Sequence, residues 1–358
     1  MILFTGFPGF LGARLLPRLL ELRPGSAFRC LVQAKFEDAA RASLREIEGA
    51  HPHTRGRITT VVGDITKERL GLTPDVVRSL QKDLAGCYHL AAVYDLAVGP
   101  DVARRINVEG TRNLLRFLED APRLERLDYV STAYVSGNAV GTYRETDLDV
   151  GQKFKNHYEE TKFLAEVDVV GSGLPYAVYR PAIVVGDSRT GETAKFDGPY
   201  FVLAAMERIP SPGAFIRIGS GRNPVNLVPV DFVIEALARL SSSPNATGKT
   251  YHLTDPAPLS TFEVEKLFAQ GLGKSFAYVP VPAVVARWLF TPAPVQRFFG
   301  VPLQMLAYFD HPCRYDATVA TQALAAVGVA CPRFPDYVPR LVAFYREKKG
   351  QIRRAAMV

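Results

Sequence analysis

An apolar run from Met1 to Thr5 passes directly into Thr5-Gly6-Phe7-Pro8-Gly9-Phe10-Leu11-Gly12, after which Leu11, Leu15, Leu16, Leu19 and Leu20 recur with a helical period. Three glycines at this spacing, between a strand and a helix, leave few folds open. Gly6 permits a tight turn, Gly9 lets a backbone approach phosphates, and Gly12 lets the helix pack close to the strand. The spacing is GxxGxxG, not GxGxxG. In isolation such a triplet is as well explained by a structural turn. Its place after a strand and before a helix makes it a dinucleotide phosphate site. The expected contacts are Thr5, Gly6, Phe7, Pro8, Gly9, Phe10, Leu11 and Gly12.

The pattern continues as alternating strands and helices. Strands are expected at Phe28 to Val32, Ile58 to Val62, Cys87 to Ala92, Arg126 to Ser131 and Tyr176 to Val185. Helices are expected over Ala39 to Glu48, Asp75 to Leu84, Val102 to Leu118 and Tyr158 to Gly171. Strands separated by helices imply βαβ units, and near-continuous apolar strands imply burial on both faces of a parallel sheet. The fold class is therefore α/β, a Rossmann-type doubly wound parallel sheet. Residues 1–186 form its nucleotide-binding domain. Returns to the sheet are expected near 226–255, through a helix at Asp231 to Leu240 and a strand at Lys249 to Leu253. Residues 187–225 and 256–358 make a smaller substrate lobe, ending in a helix near Tyr337 to Lys348.

Composition excludes several classes. With 47% hydrophobic and 22% charged residues, the chain of 358 residues has ample core material and is not disordered. Four cysteines without a CxxC pair exclude a zinc ribbon or thioredoxin-type site. The net charge of +7 suits anionic ligands such as phosphates or coenzyme A, but the charges are scattered, which argues against nucleic acid as a partner. No secretory signal and no membrane-spanning run is evident. A cytoplasmic location is expected, with at most weak contact to a membrane surface.

The rest of the cofactor site can be placed strand by strand. The second strand ends at Gln33, where an acidic residue would hold the ribose hydroxyls of NAD. Gln33 and the nearby Lys35, Arg41 and Arg14 instead suit a 2′-phosphate, so NADP(H) is preferred and NAD(H) possible. Asp64 and Ile65 follow the third strand, with Asp64 placed for the adenine amino group or a turn cap. Ala91 and Ala92, at the end of the fourth strand, are small enough for a ribose to lie against the backbone.

Tyr158 and Lys162 are four residues apart at the start of a helix and share one face. An ammonium beside a phenol favours phenolate, which lets the tyrosine exchange a proton near neutral pH. Alone, this pair is as often an exposed helix face. It does not stand alone: Ser131 or Thr132 falls at the end of the fifth strand, where a hydroxyl can hold a substrate oxygen. Asn107, on the preceding helix, could anchor a water near Lys162.

In this order TGFPGFLG, GDI, HLAA, NVEGTRNLL, YVSTAYVSG, YEETK and RPAIVVG resemble an extended short-chain dehydrogenase/reductase. The resemblance implies a tetrad of Asn107, Thr132, Tyr158 and Lys162, with Thr132 the better match by its distance to Gly137. It also implies that Arg180 to Val184, including Pro181, Ile183 and Val184, lines the nicotinamide. RPAIVVGDSRTGETAKFDGPY with YVSTAY is similar to the fatty acyl-CoA reductase and thioester reductase branch. That branch often has an arginine where Gln33 stands. The expected function is reduction of a long-chain acyl thioester or aldehyde, the acyl group carried by coenzyme A or a carrier protein. The alternatives are reduction or dehydrogenation of a ketone, sterol or β-keto acid, epimerisation or dehydration of a nucleotide sugar, and nucleotide sensing without chemistry.

Other signals are weaker. His51-Pro52-His53 has no evident partner cluster for a metal, so no metal site is expected. Ala283 to Phe309, with Trp288, Phe290, Phe298, Phe299, Met305 and Phe309, is the expected wall of an apolar tunnel.

Overall fold

The computed structural model describes residues 1–94, 98–194, 196–292, 295, 303–308 and 311–350. Phe298, Phe299 and Phe309 and the side chain of Met305 lie outside the described residues. Seven strands form one sheet, all neighbours parallel: β1 (Ile2–Thr5), β2 (Phe28–Val32), β3 (Ile58–Val62), β4 (Gly86–His89), β5 (Arg126–Val130), β7 (Tyr176–Pro181) and β11 (Lys249–Leu253). Their spatial order is β3-β2-β1-β4-β5-β7-β11. The direction of progression reverses between β1 and β4, and a crevice opens there at the carboxyl ends of the strands.

Helices cover both faces. On one side α1 (Phe10–Leu22) packs with α8 (Val230–Ser242), so that Leu15, Leu16 and Leu19 meet Phe232, Val233 and Leu237 over Phe4, Phe28 and Tyr88 of the sheet. On the other, α5 (Gly110–Glu119) and α6 (His157–Gly171) bury Leu114, Leu118, Ala165 and Val169 against Leu3, Cys87, Leu127 and Val178. The remaining helices of this half are α2 (Glu37–Ala50), α3 (Pro74–Lys82) and α4 (Pro100–Ala103).

Three elements differ from expectation in ways that shape the site. The helix expected over Val102 to Leu118 is interrupted: between α4 and α5 the backbone makes a π-turn, Arg104–Glu109, a feature that often marks a functional position. The fourth strand stops at His89, not Ala92, and residues 90–94 leave the sheet. The sixth expected strand breaks at Ala182. Pro181 still pairs with Leu253, whereas β8 (Ile183–Val185) turns to pair with β10 (Leu227–Pro229).

A second core lies beyond the sheet. Phe196, α7 (Tyr200–Arg208) and α9 (Thr261–Leu272) pack with Phe334, Tyr337, Leu341 and Val342 of the last helix, Phe334–Lys348. β9 (Gly213–Ile218) pairs with β12 (Phe276–Val281), and β6 (Gly141–Tyr143) with β13 (Cys313–Tyr315). α10 (Ala283–Phe290) buries Ala286 and Phe290 but leaves Val284 and Trp288 exposed.

Candidate active site

The phosphate turn follows from its glycines. Gly6 has φ +88°, and a Cβ on it would lie 2.8 Å from the Leu90 carbonyl carbon. A Cβ on Gly12 would lie 2.7 Å from the Gly6 oxygen. Side chains at either place would push β1 away from β4 or α1 away from the turn. Gly9 caps α1 without any side-chain bond, and the first helical turn has no acidic residue. Its free N–H groups therefore face an anion site.

A cleft of about 1280 Å³ runs from this turn across the carboxyl ends of the strands. Thr5, Gly6, Phe7, Pro8, Gly9, Phe10, Leu11 and Gly12 line it, as do Gln33, Lys35, Asp64, Ile65, Ala91, Ala92, Pro181, Ile183 and Val184. Partial burial pushes the Asp64 carboxyl upward, but bonds from the Thr66 N–H and hydroxyl and from Gln33 outweigh it and hold the pKa below the usual carboxylate value. Arg41 is elsewhere. It sits on the exposed face of α2, paired one turn back with Glu37, and does not line the cleft. Arg14 is likewise held outside, on Glu192. Two cations that no sequence pattern marks, Lys67 and Arg105, do line it. Lys67 follows β3 in a polar turn and Arg105 rides on the π-turn, so neither shows helical or strand periodicity.

At the other end of the cleft stand Ser131, Thr132, Tyr158 and Lys162. The Thr132 hydroxyl accepts from the Tyr134 N–H at 3.3 Å and reaches the Pro181 carbonyl at 3.4 Å. Ser131 Oγ is buried with no partner among the described residues. Burial raises the Tyr158 pKa, a hydrogen bond with Thr132 opposes the rise, and the Glu159 charge adds to it. Lys162 Nζ donates to Tyr129 Oη at 2.7 Å and to the Val130 carbonyl at 2.8 Å. Burial lowers its pKa to about 7, against the pull of Glu166.

Asn107 is buried on the π-turn. Its Oδ1 accepts from the Val93 N–H at 2.9 Å, and its Nδ2 donates to the Thr161 hydroxyl at 3.0 Å. It thereby ties the segment after β4 to the helix that carries Tyr158. Arg180 does not line the cleft. It is fully buried on Glu166, with its Nη2 2.6 Å from Oε1, and donates to the Asp147 carbonyl at 2.8 Å. Pro181, Ala182, Ile183 and Val184 line the cleft beside it.

The far wall is aromatic. Tyr94 stands edge-on to the Tyr158 ring, centroids 5.2 Å apart. Tyr134 packs against Tyr308 at 5.1 Å. Among the described residues of Ala283 to Phe309, only Tyr308 lines the cleft, and Trp288 is 74% exposed. Among the described residues Tyr94, Ile106 and Tyr134 line the cleft with Tyr308.

A family model described as male sterility protein, an NAD-binding family, matches residues 4–237. A linear gramicidin synthase of Brevibacillus parabrevis is 27% identical over 98% of this chain, which spans only 7% of that protein. Fatty acyl-CoA reductase wat of Drosophila melanogaster is 25% identical over 66% of this chain and 53% of its own length. Among solved structures, the terminal R domain from the myxalamid PKS-NRPS biosynthetic pathway superposes with a TM-score of 0.80 at 26% identity, covering 97% of this chain and 90% of that one. The chain spans a quarter or less of most of the first curated relatives it matches, and 27% of two of them.

Proposed function

The chain belongs to the male sterility protein family of extended short-chain dehydrogenases/reductases, and from that premise we propose that it reduces an acyl thioester, or the derived aldehyde, with NADP(H). The observation that carries the reading is one continuous cleft, with a glycine cradle for a pyrophosphate at one end and Thr132, Tyr158 and Lys162 at the other. The residues fit a nicotinamide dinucleotide: Gly6 and Gly12 let the turn close on Leu90 and on α1, and the start of α1 carries no side-chain cap and no acidic residue, which suits a pyrophosphate. The bound cofactor supplies the hydride. Lys35 and Lys67 line the cleft near Gln33 and are the groups proposed to hold a 2′-phosphate. Asp64, kept ionised, is proposed to accept from the adenine amino group.

Thr132 positions the carbonyl oxygen, and Tyr158 protonates it as the carbon gains hydride. For a thioester, the C–S bond then breaks, the thiol leaves with a proton, and the aldehyde is released. Lys162 recovers its charge by bonding to ribose hydroxyls and to the phenolate that forms, both better acceptors than Tyr129 Oη. Tyr94, Ile106 and Tyr134 would hold the acyl chain. The thiol carrier is coenzyme A or a carrier protein, which the net charge of +7 suits. All four cysteines are free, in keeping with a cytoplasmic setting. No helix among the described residues is long and apolar enough to cross a membrane.

The test is NADPH oxidation, with product analysis, over acyl-CoAs of increasing length, matching aldehydes, ketones and nucleotide sugars. Each methylene buried should raise kcat/KM about fourfold until the cleft is filled, from about 0.8 kcal/mol per methylene. Tyr158→Phe should lose about 10²–10⁴ in turnover with cofactor affinity retained. Turnover of nucleotide sugars alone, or flat dependence on chain length, overturns the acyl reading.

A further inference from the structure

The fold supplies His51-Pro52-His53 with the third ligand that the sequence lacks. Glu21, at the end of α1, reaches the turn after α2, and one ligating atom each from Glu21, His51 and His53 lies within 4.8 Å of the others. We propose that these residues form a binding site for a zinc-class divalent ion that clamps α1 to the α2–β3 turn.

Three further observations carry it. The first is the state of His53. Its Nε2 lies 3.2 Å from the Pro17 carbonyl oxygen. A carbonyl can only accept, so Nε2 is the donor, and Nδ1 is the nitrogen left for an ion. A ring N–H spent on a backbone carbonyl is the usual support of a metal-bound imidazole. The second is the backbone. The His51 N–H bonds to the Ile47 carbonyl, closing α2, and the Thr54 N–H and hydroxyl both bond to the His51 carbonyl, at 2.9 and 2.8 Å. Pro52 fixes the residue between. The two rings are thereby held 5.9 Å apart, at 75°. The third is Glu21. Arg18 donates to its Oε2 and is itself held by both oxygens of Glu235. Among the described residues no bond to Oε1 is recorded, while Glu235 takes up Arg18 together with Arg239.

Ligand atoms about 2.0–2.2 Å from one tetrahedral ion stand about 3.4 Å apart. The atoms lie within 4.8 Å of one another, and the exposed Glu21 side chain is the one free to rotate toward that spacing. Two imidazoles and one carboxylate select zinc, nickel or copper over magnesium or calcium, and the fourth position stays open to water. The site lies at the carboxyl ends of α1 and α2, toward the amino ends of the strands and away from the cleft, so its role is structural.

The test uses the full chain stripped with chelator and titrated calorimetrically with zinc chloride, then with cobalt(II) for its visible spectrum. One equivalent of zinc should bind, and the Tm should rise with it. His51→Ala and His53→Gln, the latter keeping a donor for Pro17, should each weaken binding at least about tenfold, with NADPH oxidation unchanged. Cobalt should give a visible d–d band without a thiolate charge-transfer band. No binding by the parent chain, unchanged binding in the double variant, or a thiolate band marking capture by cysteine each overturns the site.

Discussion

The sharpest prediction concerns the cost of Lys162. Lys162 is 3% exposed, and among the described residues its ammonium bonds to a phenol and a carbonyl, so burial lowers its pKa from 10.5 to about 7. In the unfolded chain it returns to its ordinary value. Between those two values the unfolded state binds more protons than the folded one, so this group makes stability rise with pH. At pH 7 the folded lysine is half protonated, and by pH 9 it is neutral while the unfolded one remains charged. Integrating over that interval gives about 2 kcal/mol in favour of the folded protein at the higher pH.

Lys162→Met keeps the length and apolar stem but removes the titration. Its absolute stability mixes relief from desolvation with two lost hydrogen bonds, and the sign of that sum is not the test. The difference between parent and variant across pH is, because the lost hydrogen bonds do not titrate. Urea unfolding of the cofactor-free proteins at about pH 7, 8 and 9 should show the parent gaining about 2 kcal/mol on the variant. Parallel curves would refute the reasoning, since they would mean that the folded ammonium keeps its ordinary pKa.

Two other outcomes follow from the cleft. Gly6→Ala should lower stability by about 1–3 kcal/mol from the left-handed backbone alone, more with the Leu90 clash, read from the urea midpoint; a midpoint equal to the parent's would show that the turn relaxes freely. Lys35→Ala should weaken NADPH binding by about tenfold while leaving NADH nearly unchanged, as expected for one lost charge-assisted contact; equal losses for both cofactors would remove Lys35 from the 2′-phosphate site.

The first half of the fold was legible because its information is local. Each strand is an apolar run, each helix follows within a few residues, and the glycine turn marks where the series begins. What was not legible is long-range or built from short pieces. β13 pairs with β6 and β10 with β8 through three residues each, too few for a period to show. Glu166 is fully buried on Arg180, a pairing between a helix and a strand that no local pattern marks. Lys67 and Arg105 enter the cleft from turns. One available signal was missed: Ser260 and Glu263 form a capping box, a spacing readable in the sequence that starts α9.

The placement of Asn107 has a consequence for how the site is held. Burial, with the Lys162 charge adding to it, pushes His89 down to about 3, so the ring is neutral and has one donor and one acceptor nitrogen. Its neighbours decide which is which. Thr111 Oγ1 donates to the Asn107 carbonyl at 2.6 Å, so toward His89 it can only accept, and Nε2 carries the proton, 3.0 Å away. Nδ1 then accepts from Thr5 Oγ1 at 2.7 Å, leaving that oxygen to accept from the Ala91 N–H at 3.2 Å. From the other side of the π-turn, Asn107 donates to Thr161, whose hydroxyl donates to the His157 carbonyl at 2.6 Å. Every direction in this buried chain of hydrogen bonds is fixed. It joins the residue that opens the phosphate turn to the first turn of the helix carrying Tyr158 and Lys162. The π-turn is what brings Asn107 into line, because it offers a side-chain amide to Val93 and Thr161 and a carbonyl to Thr111 at one place. Asn107 thus ties the segment after β4 to the helix that carries Tyr158.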